Sequence, residues 1–212
     1  MNRLGRGFLG VGLALTLAGP ALAANKQVDA GKIFAMLPNY LKLPAAERSH
    51  FTMAYYLRSG GQPLAAPVWM VADGKRTPLP LSATGRVERL PTLAELDHGK
   101  LEFGLDESQK IGAVLGVEPI LAPATDLDAR ELAASIAQAA VGSKKVAGIM
   151  ALAMPKLDDV AFVGSGSGEV EFADGRRAPL PLIKGQPTYN PTTQPGARRI
   201  HLAKVPAKLD ID

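Results

Sequence analysis

The side chains best suited to metal binding or proton transfer are three histidines, His50, His98 and His201, and they stand isolated with no His-x-x-x-His spacing among them. A zinc ion would need ligands brought together from distant segments, so no metal site is assigned. Asp126-Leu-Asp128 and Asp158-Asp159 do not continue into the oxygen-rich loop that calcium requires, and helix capping accounts for the first pair. Gly164-Ser-Gly-Ser-Gly168 has glycine, Gly166, where a nucleophile elbow needs its serine. Ser-x-x-Lys is absent. Gly5-Arg-Gly7-Phe-Leu-Gly10 matches a dinucleotide fingerprint by letter, but no strand precedes it, and no cofactor is assigned. Carboxylates such as Glu95 and Glu102 are of the type used in glycoside hydrolysis, which depends on a separation that sequence does not give. No catalytic residue is assigned.

Charge is distributed unevenly. From Gly175 to Leu209 there are seven basic residues and no acidic one, whereas Gly85 to Glu131 holds ten acids against five bases. Arg176, Arg177, Arg198, Arg199 and Lys204 are therefore the candidate binding residues, forming a basic surface for an anionic partner. The competing reading packs the basic segment beside the acidic one or leaves its side chains solvated.

The first residues indicate where such a partner would be met. Arg3 and Arg6 precede an apolar run from Phe8 to Ala18, Gly19 and Pro20 break it, and Ala21-Leu22-Ala23 supplies small residues for cleavage before Ala24. Residues 1–23 read as a signal peptide. An uncleaved anchor is the rival, since Gly7 to Ala24 carries no charge over eighteen residues, but the glycines, Pro20 and the Ala-x-Ala end fit cleavage better. The expected location is periplasmic or secreted, with no transmembrane anchor after cleavage. Loss of Arg3 and Arg6 lowers the net charge from +4 to +2. Nucleic acid is excluded as a partner by this small charge and by the compartment. The chain has no cysteine, which rules out disulfides, thiolate metal sites and a lipidated cysteine.

Positioning elements are legible around an internal repeat. Ala72-Asp-Gly-Lys-Arg-Thr-Pro-Leu-Pro-Leu81 recurs as Ala173-Asp-Gly-Arg-Arg-Ala-Pro-Leu-Pro-Leu182, with eight identities in ten at an offset of 101. Asp-Gly favours a two-residue type I′ turn, so each copy reads as a hairpin. Pro78 and Pro80 place both missing N–H groups on one edge of the outgoing strand, which reads as a protected sheet edge, with a polyproline ligand segment as the alternative. Period-two alternation turns Trp69 and Val71, with Val170 and Phe172, inward. Val68 and Met70 then face outward where the second copy has Glu169 and Glu171, so they need cover.

Before the first copy, the pattern predicts a helix over Asp29–Leu37 stopped at Pro38, a helical start at Pro44 and a strand over His50–Arg58. Before the second, Thr125 and Asp128 predict a capping box, followed by a helix that carries Leu132, Ile136 and Ala140 and ends at Gly142. Lys100–Leu105 and Arg199–Val205 read as strands, Gly164–Gly168 as a connection between hairpin strands, and Glu118–Ala124 as the boundary. The expectation is an α+β protein of two related halves, residues 24–121 and 122–212, each a helical segment followed by an antiparallel sheet containing an Asp-Gly hairpin. This order resembles the architecture of the beta-lactamase inhibitory protein, in element order and not in any residue motif. The expected function is non-catalytic binding of an envelope protein or anionic envelope component. Alternatives are a secreted hydrolase of cell-wall glycan or peptide and a structural accessory subunit of an envelope assembly.

Overall fold

A computed structural model describes residues 25–153 and 156–212, so the signal peptide read in residues 1–23 lies outside the described residues. The described residues form an α+β fold of four antiparallel sheets and four α-helices. Strand β1 (Lys26–Asp29) runs directly into helix α1 (Ala30–Ile33), followed by α2 (Leu37–Lys42), a 3-10 turn (Ala45–Arg48) and β2 (Phe51–Ser59). Then come β3 (Gln62–Pro63), β4 (Val68–Ala72), β5 (Lys75–Pro78), α3 (Leu93–His98), β6 (Lys100–Phe103) and β7 (Ile111–Pro119). Strand β8 (Asp126–Asp128) enters the long helix α4 (Ala129–Ala147), and a 3-10 turn (Gly148–Ala153) follows. The chain ends with β9 (Val160–Val163), β10 (Gly168–Phe172), β11 (Arg177–Pro179), β12 (Leu182–Ile183), β13 (Gln186–Tyr189), β14 (Ala197–Leu202) and β15 (Lys208–Ile211).

The sheets have the orders β1-β6-β4-β5, β3-β2-β7, β8-β14-β10-β11 and β12-β13-β9-β15. One buried apolar cluster connects them, with Phe34, Phe51, Phe103 and Phe162 fully enclosed. Phe34 meets Tyr55 edge-on at 4.9 Å and Tyr40 meets Phe51 at 5.5 Å, geometries that the aromatic quadrupole favours.

Several expectations need correction. Pro38 sits in the first turn of α2, where a missing N–H costs nothing, so it opens a helix instead of stopping one. Asp128 alone caps α4 through the N–H groups of Arg130 and Glu131, and the capping box in the described residues is Thr92 with Glu95 on α3. Gly142 does not end α4: it lies inside the helix, where the Phe51 ring fills the space of the missing side chain. Gly164–Gly168 joins β9 to β10, which belong to different sheets. Glu118 and Pro119 belong to β7, so the chain is still in a strand where a boundary was expected to begin.

The two copies of the repeat turn differently. In the first, Ala72 pairs with Lys75 across a two-residue turn, with Asp73 and Gly74 both at positive φ. In the second, Glu171 pairs with Arg177, the Phe172 N–H donates to the Arg176 carbonyl, and the Gly175 N–H donates back to the Phe172 carbonyl. This is a three-residue loop with Gly175 at positive φ. The extra residue slips the incoming strand by one place, which turns its side chains to the other face. Val68 and Met70 thus enter the core in β4, where Trp69 and Val71 were expected, while Val170 does so in β10. The outgoing strands keep their phase: Leu79 and Leu180 are both buried, and their N–H groups bond to the carbonyls of Val68 and Gly168. Strands β5 and β11 both lie at a sheet edge, with Pro78 and Pro179 withholding a donor from further pairing.

Gly142 gives a test in which packing opposes helix propensity. Alanine in a helix interior ordinarily gains about 1 kcal/mol over glycine. A Cβ at position 142 would stand 2.5 Å from the Phe51 Cζ, inside a ring with no exposed surface. Gly142→Ala is therefore expected to destabilise the protein by about 1–3 kcal/mol, read as a lower urea midpoint. A raised midpoint would contradict this packing.

Candidate functional site

The candidate basic residues fall on or beside the sheet β8-β14-β10-β11. Its inner row, Ala178, Val170, Ile200 and Leu127, faces the core, and the strand pleat sends the neighbouring rows outward. One outer row reads Arg177, Glu171, Arg199, Asp128, and the next reads Pro179, Glu169, His201, Asp126. Arg177 and Arg199 are thus brought to one face but flank Glu171, and Arg177 binds its carboxylate at 2.6 Å. Arg198 is the additional residue where the β10–β14 register shifts. Arg176 stacks on the Phe172 ring at 4.1 Å, and Lys204 is exposed beyond the end of β14. The face alternates in sign, and Arg177 and His201 hold the Glu171 carboxyl below its usual pKa.

His201 bridges strands: its Nδ1 lies 2.5 Å from Asp126 and its Nε2 3.0 Å from Glu171. Among the described residues no three of His, Asp or Glu converge as metal ligands. Glu95 and Glu102 are each held in an ion pair. Arg89 grips both oxygens of Glu95 and, with the α3 cap, keeps its pKa low, while Arg76 and Asn25 donate to Oε1 of Glu102 and lower its pKa.

A second cluster, which the sequence reading missed, lies where β15 packs on β2 and β7. Residues 52, 54, 56 and 58 of β2 pair with 118, 116, 114 and 112 of β7, so Tyr56 and Glu118 share a face. The Tyr56 hydroxyl donates to Glu118 Oε1, and Arg86 donates to Oε2 at 3.0 Å through Nε, with Nη2 at 2.9 Å. Strand β15 lays Lys208 over the Tyr56 ring at 5.0 Å, and Lys208 is held by Asp210 at 2.5 Å. Glu118 is 8% exposed. Burial, followed by the Glu118 carboxylate, raises the Tyr56 pKa, and burial raises that of Asp210 against the opposing pull of Lys208. Cavities flank this knot, one of about 620 Å³ lined by Thr52, Arg86, Ile120, Leu121 and Leu209, and one of about 550 Å³ lined by Val114, Leu115, Lys156, Lys184 and Asp212. Because Glu118 uses both oxygens and Lys208 is tied to Asp210, the groups neutralise one another. The arrangement anchors strands, with both Glu118 oxygens engaged and Asp210 bound to Lys208 through Oδ2.

Above the knot, β7 presents its outer edge. The Leu57 N–H donates to the Gly85 carbonyl, the Leu64 N–H to the Leu57 carbonyl, and the Val87 N–H to the Tyr55 carbonyl, so residues 55 and 57 face away from β7. Residues 54, 56 and 58 therefore form the ladder with Gly116, Val114 and Gly112. The N–H and C=O groups of Ala113 and Leu115 point to the far side, where no strand among the described residues pairs. Gly112 to Leu115 is exposed, with Val114 at 55% and Leu115 at 39%, and no charge interrupts Ile111–Val117. The detectable signal was this uncharged run ending in a lone acid; its two glycines weaken the strand pattern.

No known protein family, curated protein or solved structure matches the chain.

The knot yields two expectations. Glu118→Ala removes the partner of a partly buried guanidinium and of a buried phenol, and should cost about 2 kcal/mol; full stability in chemical denaturation would show the knot to be dispensable. Burial also raises the pKa of Tyr55 and Tyr189 along with Tyr56. A raised folded pKa gives stability that is complete below the unfolded value, about 10, and is lost as pH rises above it. Absorbance at 295 nm should therefore show fewer tyrosinates at pH 11 in native protein than in denaturant, and the unfolding midpoint should fall from pH 9 to 11.

Proposed function

We propose that the protein is an exported, non-catalytic periplasmic binding protein whose partner is an envelope protein, taken up as an extended segment along the outer edge of β7. The observation that carries this reading is the open, uncharged edge over Ala113–Leu115. Soluble proteins ordinarily guard such an edge with charge, proline or a covering element, as the prolines of β5 and β11 do here. Strand addition supplies main-chain hydrogen bonds from Ala113 and Leu115, and the neighbouring 550 Å³ cavity accommodates a side chain of the incoming segment. The mutual neutralisation at the Glu118 knot supports binding over hydrolysis. Acidic neighbours along the rows of Arg177 and Arg199 give the polyanion reading weaker support. The signal sequence read in residues 1–23 supports export.

The proposed fold consists of two related halves. Supporting this are the matching orders β1-β6-β4-β5 and β8-β14-β10-β11, and the direct passage of β1 into α1 and of β8 into α4. The closing strands β7 and β15 pair with β2 and β9 in the same antiparallel sense.

Two experiments test the proposal. Mature protein should begin at Ala24 in the periplasmic fraction; N-terminal sequencing that finds Met1 retained on membranes would overturn the export reading. A photo-crosslinking residue at position 113 should capture one envelope protein in cells. Leu115→Pro should abolish the crosslink without unfolding the protein, because the N–H it removes points away from β2. Persistence of the crosslink in that variant, or crosslinking only to a second copy of the chain, would refute envelope-protein uptake at this edge.

A further inference from the structure

The end of α4 carries an exposed apolar tip between lysines. Val146 to Ala153 contains no charge, with Lys144 and Lys145 before it and Lys156 shortly after. The tip is held at its base. The Val146 carbonyl accepts from Asn39 at 3.0 Å, the Gly148 N–H closes the helix on the Lys144 carbonyl, and Gly148, at φ 56°, turns the chain into the 3-10 turn. On that turn Ile149 is 95% and Leu152 99% exposed. A spacing of three residues in a 3-10 helix aligns side chains along one side, so the two aliphatic groups project together.

We infer that this tip is a docking site for an anionic phospholipid bilayer, with Ile149 and Leu152 inserting at the acyl boundary and Lys144, Lys145 and Lys156 meeting the head groups. The lysines supply the charge complementarity. Lys145 and Lys156 are held by Glu47 and Asp158, but these are solvent-screened pairs that an anionic surface can replace. A protein partner fits less well, because two side chains on a convex turn cover only a fraction of the ~800 Å² per partner that a stable interface needs. Short apolar protrusions flanked by cations bind membranes shallowly and reversibly. The inference concerns a different element and a different ligand from strand uptake at β7, and Lys156, which also lines the cavity beside β7, is the residue that the two share.

The cysteine-free chain permits a position-specific test. Protein of residues 24–212 carrying Ile149→Cys labelled with an environment-sensitive fluorophore is mixed with vesicles of phosphatidylethanolamine and phosphatidylglycerol at 3:1. The label should shift to the blue and be quenched by shallow spin-labelled lipid. The same label at Leu182→Cys, exposed on β12, should not respond. Added to the Ile149→Cys protein, Leu152→Ser should weaken the response of the position-149 label about tenfold. Replacing Lys144, Lys145 and Lys156 with glutamine, or raising salt to 0.5 M, should weaken it by a similar factor. An unresponsive label at 149, equal responses at 149 and 182, equal affinity for phosphatidylcholine vesicles, or a blue shift without lipid that tracks dimerisation would each overturn the inference.

Discussion

A carboxylate drawn into the space between two sheets must find donors before the chain can close over it. Glu118 finds them in the Tyr56 hydroxyl and the Arg86 guanidinium. That requirement ties three separate stretches together. It sets the end of the nine-residue β2–β7 ladder and holds the segment around Arg86 against β2. It also gives β15 a polar surface on which Lys208 and Asp210 can settle. In a low-dielectric setting each of these bonds strengthens its neighbours, and an unpaired member would be costly. The knot therefore acts as a registration mark: a one-residue slip of β7 would carry Glu118 to the other face, away from both donors.

On the opposite face of β2, the constraint is steric. Phe51 occupies the space left by Gly142, which fixes α4 along its axis as well as against the sheet. The helix thus reaches past the core with its end in a defined place, and the exposed turn beyond Gly148 inherits that placement. The rigid contact of one glycine with one ring and the exposure of Ile149 and Leu152 are two ends of the same lever.

Secondary structure was legible wherever side-chain pattern and local chemistry agreed. The strands around Phe51, Lys100 and Arg199 follow alternation, and the start of α4 follows Asp128. Legibility failed where a residue has two possible roles. Proline can stop a helix or open one, and Pro38 opens one. Glycine can end a helix or make room for a neighbour, and Gly142 makes room. The inward face of β4 was misassigned because the repeat aligns by sequence at 101 residues, whereas its incoming strands correspond at 100; a single inserted residue in a turn is invisible to an ungapped match. The Glu118 knot was beyond reach for another reason. Its members come from four segments far apart in sequence, and each alone resembles an ordinary surface residue.

The order of the sheets sets the time at which the chain can fold. Strand β1 pairs with β6, more than seventy positions later, and β8 pairs with β14 at a similar separation. Neither sheet can close until its last strand in chain order has been made, so loop-closure entropy is lost before most native contacts form. Such topologies fold in milliseconds to seconds instead of microseconds. Under the export proposed above, that delay would be an advantage: non-local pairing would keep the polypeptide extended through the interval in which it has to cross a membrane channel.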